Sequence, residues 1–212
     1  MTAHTSAHID VAPPGAPTRR FAMTRSPLRL LVLLVTAALG AVLLAPSASA
    51  GAAPYCGITW GSLPKVSSAA DTEMVNNVRA GRHDCFDRLV VDLGGQDTTF
   101  GSYDVRYVPL VYEDGSGRAV PVRGEADLQI VLRAPAYDQY GNATFAPADR
   151  REVVDVTGYS TFRQVAWAGS YEGYTTMALG VRARLPFRVF ALAGRPQSDD
   201  TPRLVIDVAH HW

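Results

Sequence analysis

The sequence predicts an all-β protein: an antiparallel β-sandwich of two packed small sheets, with about nine short strands and one disulfide. Three observations predict it. Beyond residue 50 no stretch carries the 3.6-residue apolar period of an amphipathic helix, whereas several runs alternate with a period of two. Those runs are four to ten residues long, with Gly, Pro, Asn and Asp clustered between them. Cys56 and Cys85 are the only cysteines, and 47% of the residues are hydrophobic, enough to fill a core.

Taken in order, residues 1–50 read as a signal region that plays no part in the fold. Residues 30–44, LLVLLVTAALGAVLL, are fifteen residues without a charge, preceded by Arg25 and Arg29. Ala48-Ser49-Ala50 fits the small-residue rule of signal peptidase, which places cleavage after Ala50. The apolar run is shorter than the ~20 residues that span a bilayer, so no stable membrane anchor is expected after cleavage. Residues 1–22 are polar and Pro-rich, and a start at Met23 gives a leader of ordinary length. Residues 51–212 then hold sixteen basic and nineteen acidic residues, with Lys65 the only lysine. Over the whole chain 20 Lys+Arg balance 20 Asp+Glu, which excludes a nucleic-acid binder that works by neutralising phosphates.

Residues 51–70 form an N-terminal extension to a domain spanning 71–212. The one candidate helix lies around residues 69–78, shortened by Asn76 and Asn77. Residues 86–93, FDRLVVDL, put Leu89, Val91 and Leu93 on one strand face and Arg88, Val90 and Asp92 on the other. Residues 103–112 meet the turn cluster Glu113-Asp114-Gly115-Ser116-Gly117 and continue as 118–122, a hairpin whose Pro109 and Pro121 mark edges. A strand at 127–132 precedes a polar loop over 134–151. Further strands are expected at 153–156, 164–168, 175–184, 187–192 and 203–208.

The cysteines lie in the exported part, where an isolated pair is most simply a disulfide, Cys56–Cys85. The other reading, a reactive thiol or metal pair, needs soft ligands nearby, and only His83 is close in sequence. No metal or cofactor is expected. There is no G-x-S-x-G elbow, H-E-x-x-H, P-loop or G-x-G-x-x-G. His210-His211-Trp212 reads as a frayed tail, since adjacent strand residues face opposite ways.

One pattern occurs twice. Arg88-Leu-Val-Val-Asp-Leu93 and Arg203-Leu-Val-Ile-Asp-Val208 each place Arg and Asp four apart on one strand face. That is about 13 Å at ~3.3 Å per residue, so each must find a cross-strand partner or water. The pattern suits either two half-buried strands with solubility charges or related strands in two sheets presenting Arg and Asp to a ligand. Arg182 and Arg184 alternate with Val181, Ala183 and Leu185 and are expected on one strand face. Guanidinium forks suit carboxylates and phosphates. Trp60, Trp167, Tyr171 and Tyr174 are candidates for stacking on sugar rings, although Trp167, in an Ala-rich strand, reads first as core.

The segments VRAGRHDCFDRLVVDL at 78–93, VAWAGSYEG at 165–173, LGVRARLPFRV at 179–189 and the ending at 203–212 together resemble the AMIN-like domain of secreted actinobacterial proteins. The resemblance implies a β-sandwich of two small sheets. AMIN domains themselves are envelope-targeting modules that accompany amidases and secretins and bind peptidoglycan. The expectation is a secreted, wall-associated, non-catalytic binding module. Its partner would be a cell-wall polysaccharide such as peptidoglycan, contacted by a sheet face carrying Arg88, Asp92, Arg182 and Arg184, with Tyr171 as an aromatic contact. The alternatives are an interaction subunit that docks an envelope protein through an edge strand or the 134–151 loop, and a hydrolase using Asp92 and Asp207.

Overall fold

The computed structural model describes residues 54–95, 98–195, 198 and 200–212. They belong to one compact unit, Ala52–Trp212. The signal region, Met23 and the cleavage point after Ala50 lie outside the described residues. A single 3-10 turn, Tyr55–Gly57, precedes the strands β1 (Lys65–Ser67), β2 (Met74–Arg82), β3 (Phe86–Gly94), β4 (Tyr103–Val108), β5 (Val111–Tyr112), β6 (Ala119–Val120), β7 (Ala126–Leu132), β8 (Phe162–Tyr171), β9 (Tyr174–Val181), β10 (Phe187–Leu192) and β11 (Arg203–Ala209).

Every strand pairing is antiparallel. One sheet has the order β1-β4-β7-β9-β8, the other β10-β11-β3-β2, and β5 pairs only with β6. The period-two alternation explains how the sheets meet. Leu89, Val91 and Leu93 of β3 and Leu204, Ile206 and Val208 of β11 are fully buried against Val105, Leu128, Ile130, Val165, Met177 and Leu179 of the larger sheet. Each such side chain taken from water contributes about 1.5–3 kcal/mol before the entropy of ordering it. On the other face of the larger sheet, Ala166, Ala168 and Ala178 make room for Val111 and the β5–β6 hairpin. Gly180 lies under the chain at Arg123, where an added Cβ would sit 2.0 Å from the Arg123 carbonyl oxygen.

The disulfide forms as expected, joining Cys56 of the 3-10 turn to Cys85 beside β3, with 6.4 Å between Cα atoms. It closes a loop of 29 residues, a constraint on the unfolded chain of about 3–4 kcal/mol.

Four sequence expectations are corrected. Residues 69–78 hold the start of β2 and no helix. A β-bulge between Val75 and Asn77 separates the inward-facing Val75 and Val78 by three residues, a spacing that imitates a helix. The run 103–112 breaks at Pro109 into β4 and β5, which enter different sheets. Residues 153–156 are not a strand; Val153 N–H donates to the Val165 carbonyl at 2.8 Å and the segment lies along β8. Finally, His210 is not frayed. It is 9% exposed, and its Nε2 lies 3.2 Å from Asp87 Oδ1. Asp87 Oδ2 also accepts the N–H groups of Thr161 and Phe162, at 2.5 and 3.1 Å, so one buried carboxylate ties β3 to the start of β8 and to the C-terminus.

Candidate functional site

The repeated Arg-x-x-x-Asp pattern resolves into a single feature. β3 and β11 are neighbours in one sheet, and their antiparallel register sets Arg88 opposite Asp207 and Asp92 opposite Arg203. Two copies of the pattern running in opposite directions are self-complementary. The reading that placed them in two sheets is therefore corrected. On the outward face Arg88 Nε and Nη2 donate to Asp207 Oδ1 and Oδ2 at 2.6 and 2.9 Å. From the other side Arg188 of β10 donates Nε to Asp207 Oδ2 at 2.8 Å, with its Nη2 at 2.7 Å. Asp207 is fully buried beneath them.

Aromatic rings enclose this pair of arginines. The Arg188 guanidinium lies 5.0 Å from the Phe190 ring, 5.4 Å from Phe86 and 5.5 Å from Trp60. Arg88 lies 5.1 Å from Phe86 and 5.6 Å from Phe190. Asp92 sits two rows away, held by Arg79 at 2.8 Å and by Asn77 at 3.1 Å. Asp92 and Asp207 are thus four residues apart along the β3–β11 ladder, about 13 Å at ~3.3 Å per residue. Glycosidase carboxylates need roughly 5–9.5 Å, so this pair does not build that site.

The remaining expected contacts go elsewhere. β9 ends at Val181, so Arg182 and Arg184 share no strand face. Arg182 N–H donates to Thr161 and its guanidinium to the carbonyls of Ser160, at 3.2 Å, and His210, at 2.5 Å, which fastens loop to terminus. Arg184 stacks 4.9 Å from the Tyr107 ring. Tyr107 donates its hydroxyl to the Leu185 carbonyl at 2.7 Å, and burial pushes its ionisation up to about 12. Tyr171 lies at the β8–β9 turn, the opposite end of that hairpin from Val181. The five residues expected to act together fall at three places: Arg88 with Asp92, Arg182 with Arg184, and Tyr171.

Tyr171 opens onto a depression lined by four aromatic rings. A groove of about 460 Å³ lies beside β8, lined by Asp114, Tyr137, Phe145, Arg150, Trp167 and Tyr171. Trp167 is its floor, 8% exposed, with Phe145 tilted against it at 5.4 Å between ring centroids. A β-bulge between Trp167 and Gly169 turns the strand there. Tyr171 is 53% exposed and packs its ring on Gly115, whose φ of 77° belongs to the β5–β6 turn. Tyr137 accepts the Gly173 N–H on its hydroxyl at 2.9 Å and also lines a second depression of about 680 Å³, beside the exposed Tyr140.

Charged groups frame the groove. Glu113 accepts from Ser116, Arg118 and Arg150, and those bonds hold its carboxyl down to about 2. Asp114 accepts the Thr176 hydroxyl at 3.0 Å, while burial raises its carboxyl above the ordinary range. Trp167 is both core and groove floor, which joins the two readings left open for it. Sequence reasoning missed Arg188, Phe190, Tyr137, Phe145, Asp114 and Arg150. For Arg188 and Phe190 the signal was present, because the alternation in 187–192 puts both on the face opposite Phe187 and Val189.

Among the described residues no helix is long and apolar enough to cross a membrane, and no group of three or more His, Cys, Asp or Glu is placed to hold a metal ion. A search of curated proteins and a search of solved structures each find no significant match. The family model of the AMIN-like domain matches residues 73–210. Such a domain suggests an envelope-associated, non-catalytic module with an extracytoplasmic location. The match covers well over half of the chain, from β2 to the residue that follows β11, and the chain belongs to the AMIN-like domain family.

Proposed function

We propose that the protein is a secreted module that binds the glycan of a cell-wall polymer, peptidoglycan in the first instance, in the groove beside β8. The observation that carries this reading is the exposed Tyr171 ring standing over a floor of Trp167 and Phe145. Apolar faces of pyranose rings pack on aromatic faces, and a few convergent polar groups fix their orientation. Asp114 and Arg150 supply an acceptor and a donor at the groove wall. Opening onto a second depression at Tyr137 suits a chain ligand that extends beyond one sugar.

The test is co-sedimentation of the protein with purified wall sacculi. Tyr171→Ala removes a ring that is half exposed, and Tyr112→Ala removes an equally exposed ring outside the groove. We expect Tyr171→Ala to lose about two- to tenfold in affinity for the sacculi, the value of one aromatic contact of ~0.5–1.5 kcal/mol, and Tyr112→Ala to bind as the parent does. Equal retention of both variants removes the groove from the reading. Failure of the parent protein to sediment removes the ligand.

A further inference from the structure

We propose that Arg88 and Arg188 form an oxyanion site on the outer face of the β10-β11-β3-β2 sheet, taking a phosphate or phosphodiester group. The charge balance there is uneven: two guanidinium groups share the single carboxylate of Asp207. The neighbouring Arg79 differs, since it is the one guanidinium paired with the carboxylate of Asp92.

A guanidinium offers two edges for in-plane donation. Asp207 occupies the Nε–Nη2 edge of both arginines, and neither Nη1 has a hydrogen-bond partner among the described residues. The planar faces of the guanidinium groups lie against the rings of Phe86, Phe190 and Trp60, so the free edges are where further donation remains. The side chains keep 25% and 31% exposure. Asp207 and the rings fix two rotamer-rich side chains in advance, which lowers the ordering cost of a second oxyanion. An Arg fork between aromatic faces suits a tetrahedral oxyanion better than chloride, because it donates two directed bonds.

The site is separate from the β8 groove and does not rest on the glycan reading. The probe is inorganic phosphate, titrated into the ¹⁵N-labelled full-length protein at constant ionic strength set with chloride. We expect saturable shifts of the Arg88 and Arg188 Nε–H resonances, absent when chloride replaces phosphate. Arg188→Lys keeps the charge beside Asp207 but loses the fork, and its phosphate affinity should fall at least fivefold. Arg184→Gln removes an equal charge beside Tyr107, away from Asp207, and Tyr171→Ala disturbs the glycan groove; both should bind phosphate as the parent does. A glycerol-phosphate oligomer in place of the free ion should bind more tightly if the physiological source is a polymer; binding no tighter than free phosphate assigns the site to the free ion. Non-saturating shifts, equal shifts with chloride, unchanged affinity in Arg188→Lys, or equal weakening in Arg184→Gln would each overturn the proposal.

Discussion

Asp207→Asn tests the central feature of the outer sheet face. Asp207 has no exposed surface and accepts from two guanidinium groups through bonds of 2.6–2.9 Å. Removing one member of a buried ion pair costs about 3–5 kcal/mol, since the partner charge is left without compensation. Here both arginines keep a quarter or more of their surface in water, which recovers part of the loss. The expected destabilisation is therefore about 2–4 kcal/mol. With a urea m-value near ~2 kcal/mol/M, the midpoint should fall by roughly 1–2 M at unchanged m. Asp92→Asn is the matched comparison, because its partner Arg79 is half exposed and such a pair contributes about 0–1 kcal/mol. Equal midpoints for the two variants would refute the argument. They would mean that Asp207 is solvated in the folded protein and that the arginines are not organised by it.

Three further outcomes are expected. Replacing Cys56 and Cys85 by Ala should lower stability by about 3–4 kcal/mol in urea, as should reduction of the wild-type bond. In a spectrophotometric titration one tyrosine should ionise only near pH 12, and Tyr107→Phe should remove that step. The folded state keeps the Tyr107 proton where the unfolded chain has lost it, so stability falls as pH rises from about 10 to about 12. Glu113 behaves in the opposite sense. Its folded carboxyl titrates near 2 against 4.5, so its contribution is complete above 4.5 and is lost as pH falls towards 2; acid unfolding of Glu113→Gln should be flatter across that window.

The fold was legible where local alternation and tertiary packing agree. β3, β7, β10 and β11 have one apolar face each, and their boundaries fall within a residue of the alternating runs. Legibility failed where a strand departs from ideal pleating. The bulge at Asn76 converts a period of two into an apparent helical step between Val75 and Val78. Segment 153–156 has the composition of a strand, yet it meets β8 through single bonds such as Val153 to Val165, a distinction that lies in pairing and not in residue type.

The site was legible in its chemistry and not in its geometry, for a physical reason. A strand motif states which side chains share a face; it does not state which strand lies beside it. Arg88 and Asp207 are 119 residues apart, and Arg188 is 19 residues from Asp207, so their meeting depends on the order β10-β11-β3. The Arg-x-x-x-Asp repeat does hold one clue to that order. Two antiparallel copies set each Arg opposite an Asp, and here Arg88–Asp207 closes as an ion pair while Asp92 turns to Arg79 and Arg203 to Asp200; parallel copies in register would set Arg against Arg and Asp against Asp. The repeat thus favours direct antiparallel pairing of β3 with β11 over separation into two sheets. Arg188 then breaks the balance, because it joins a row whose Asp207 is already matched by Arg88. A strand designed for stability alone would place an apolar or neutral residue there. The surplus guanidinium beside Phe190 and Trp60 is the residue on which an anion-binding role for this face depends.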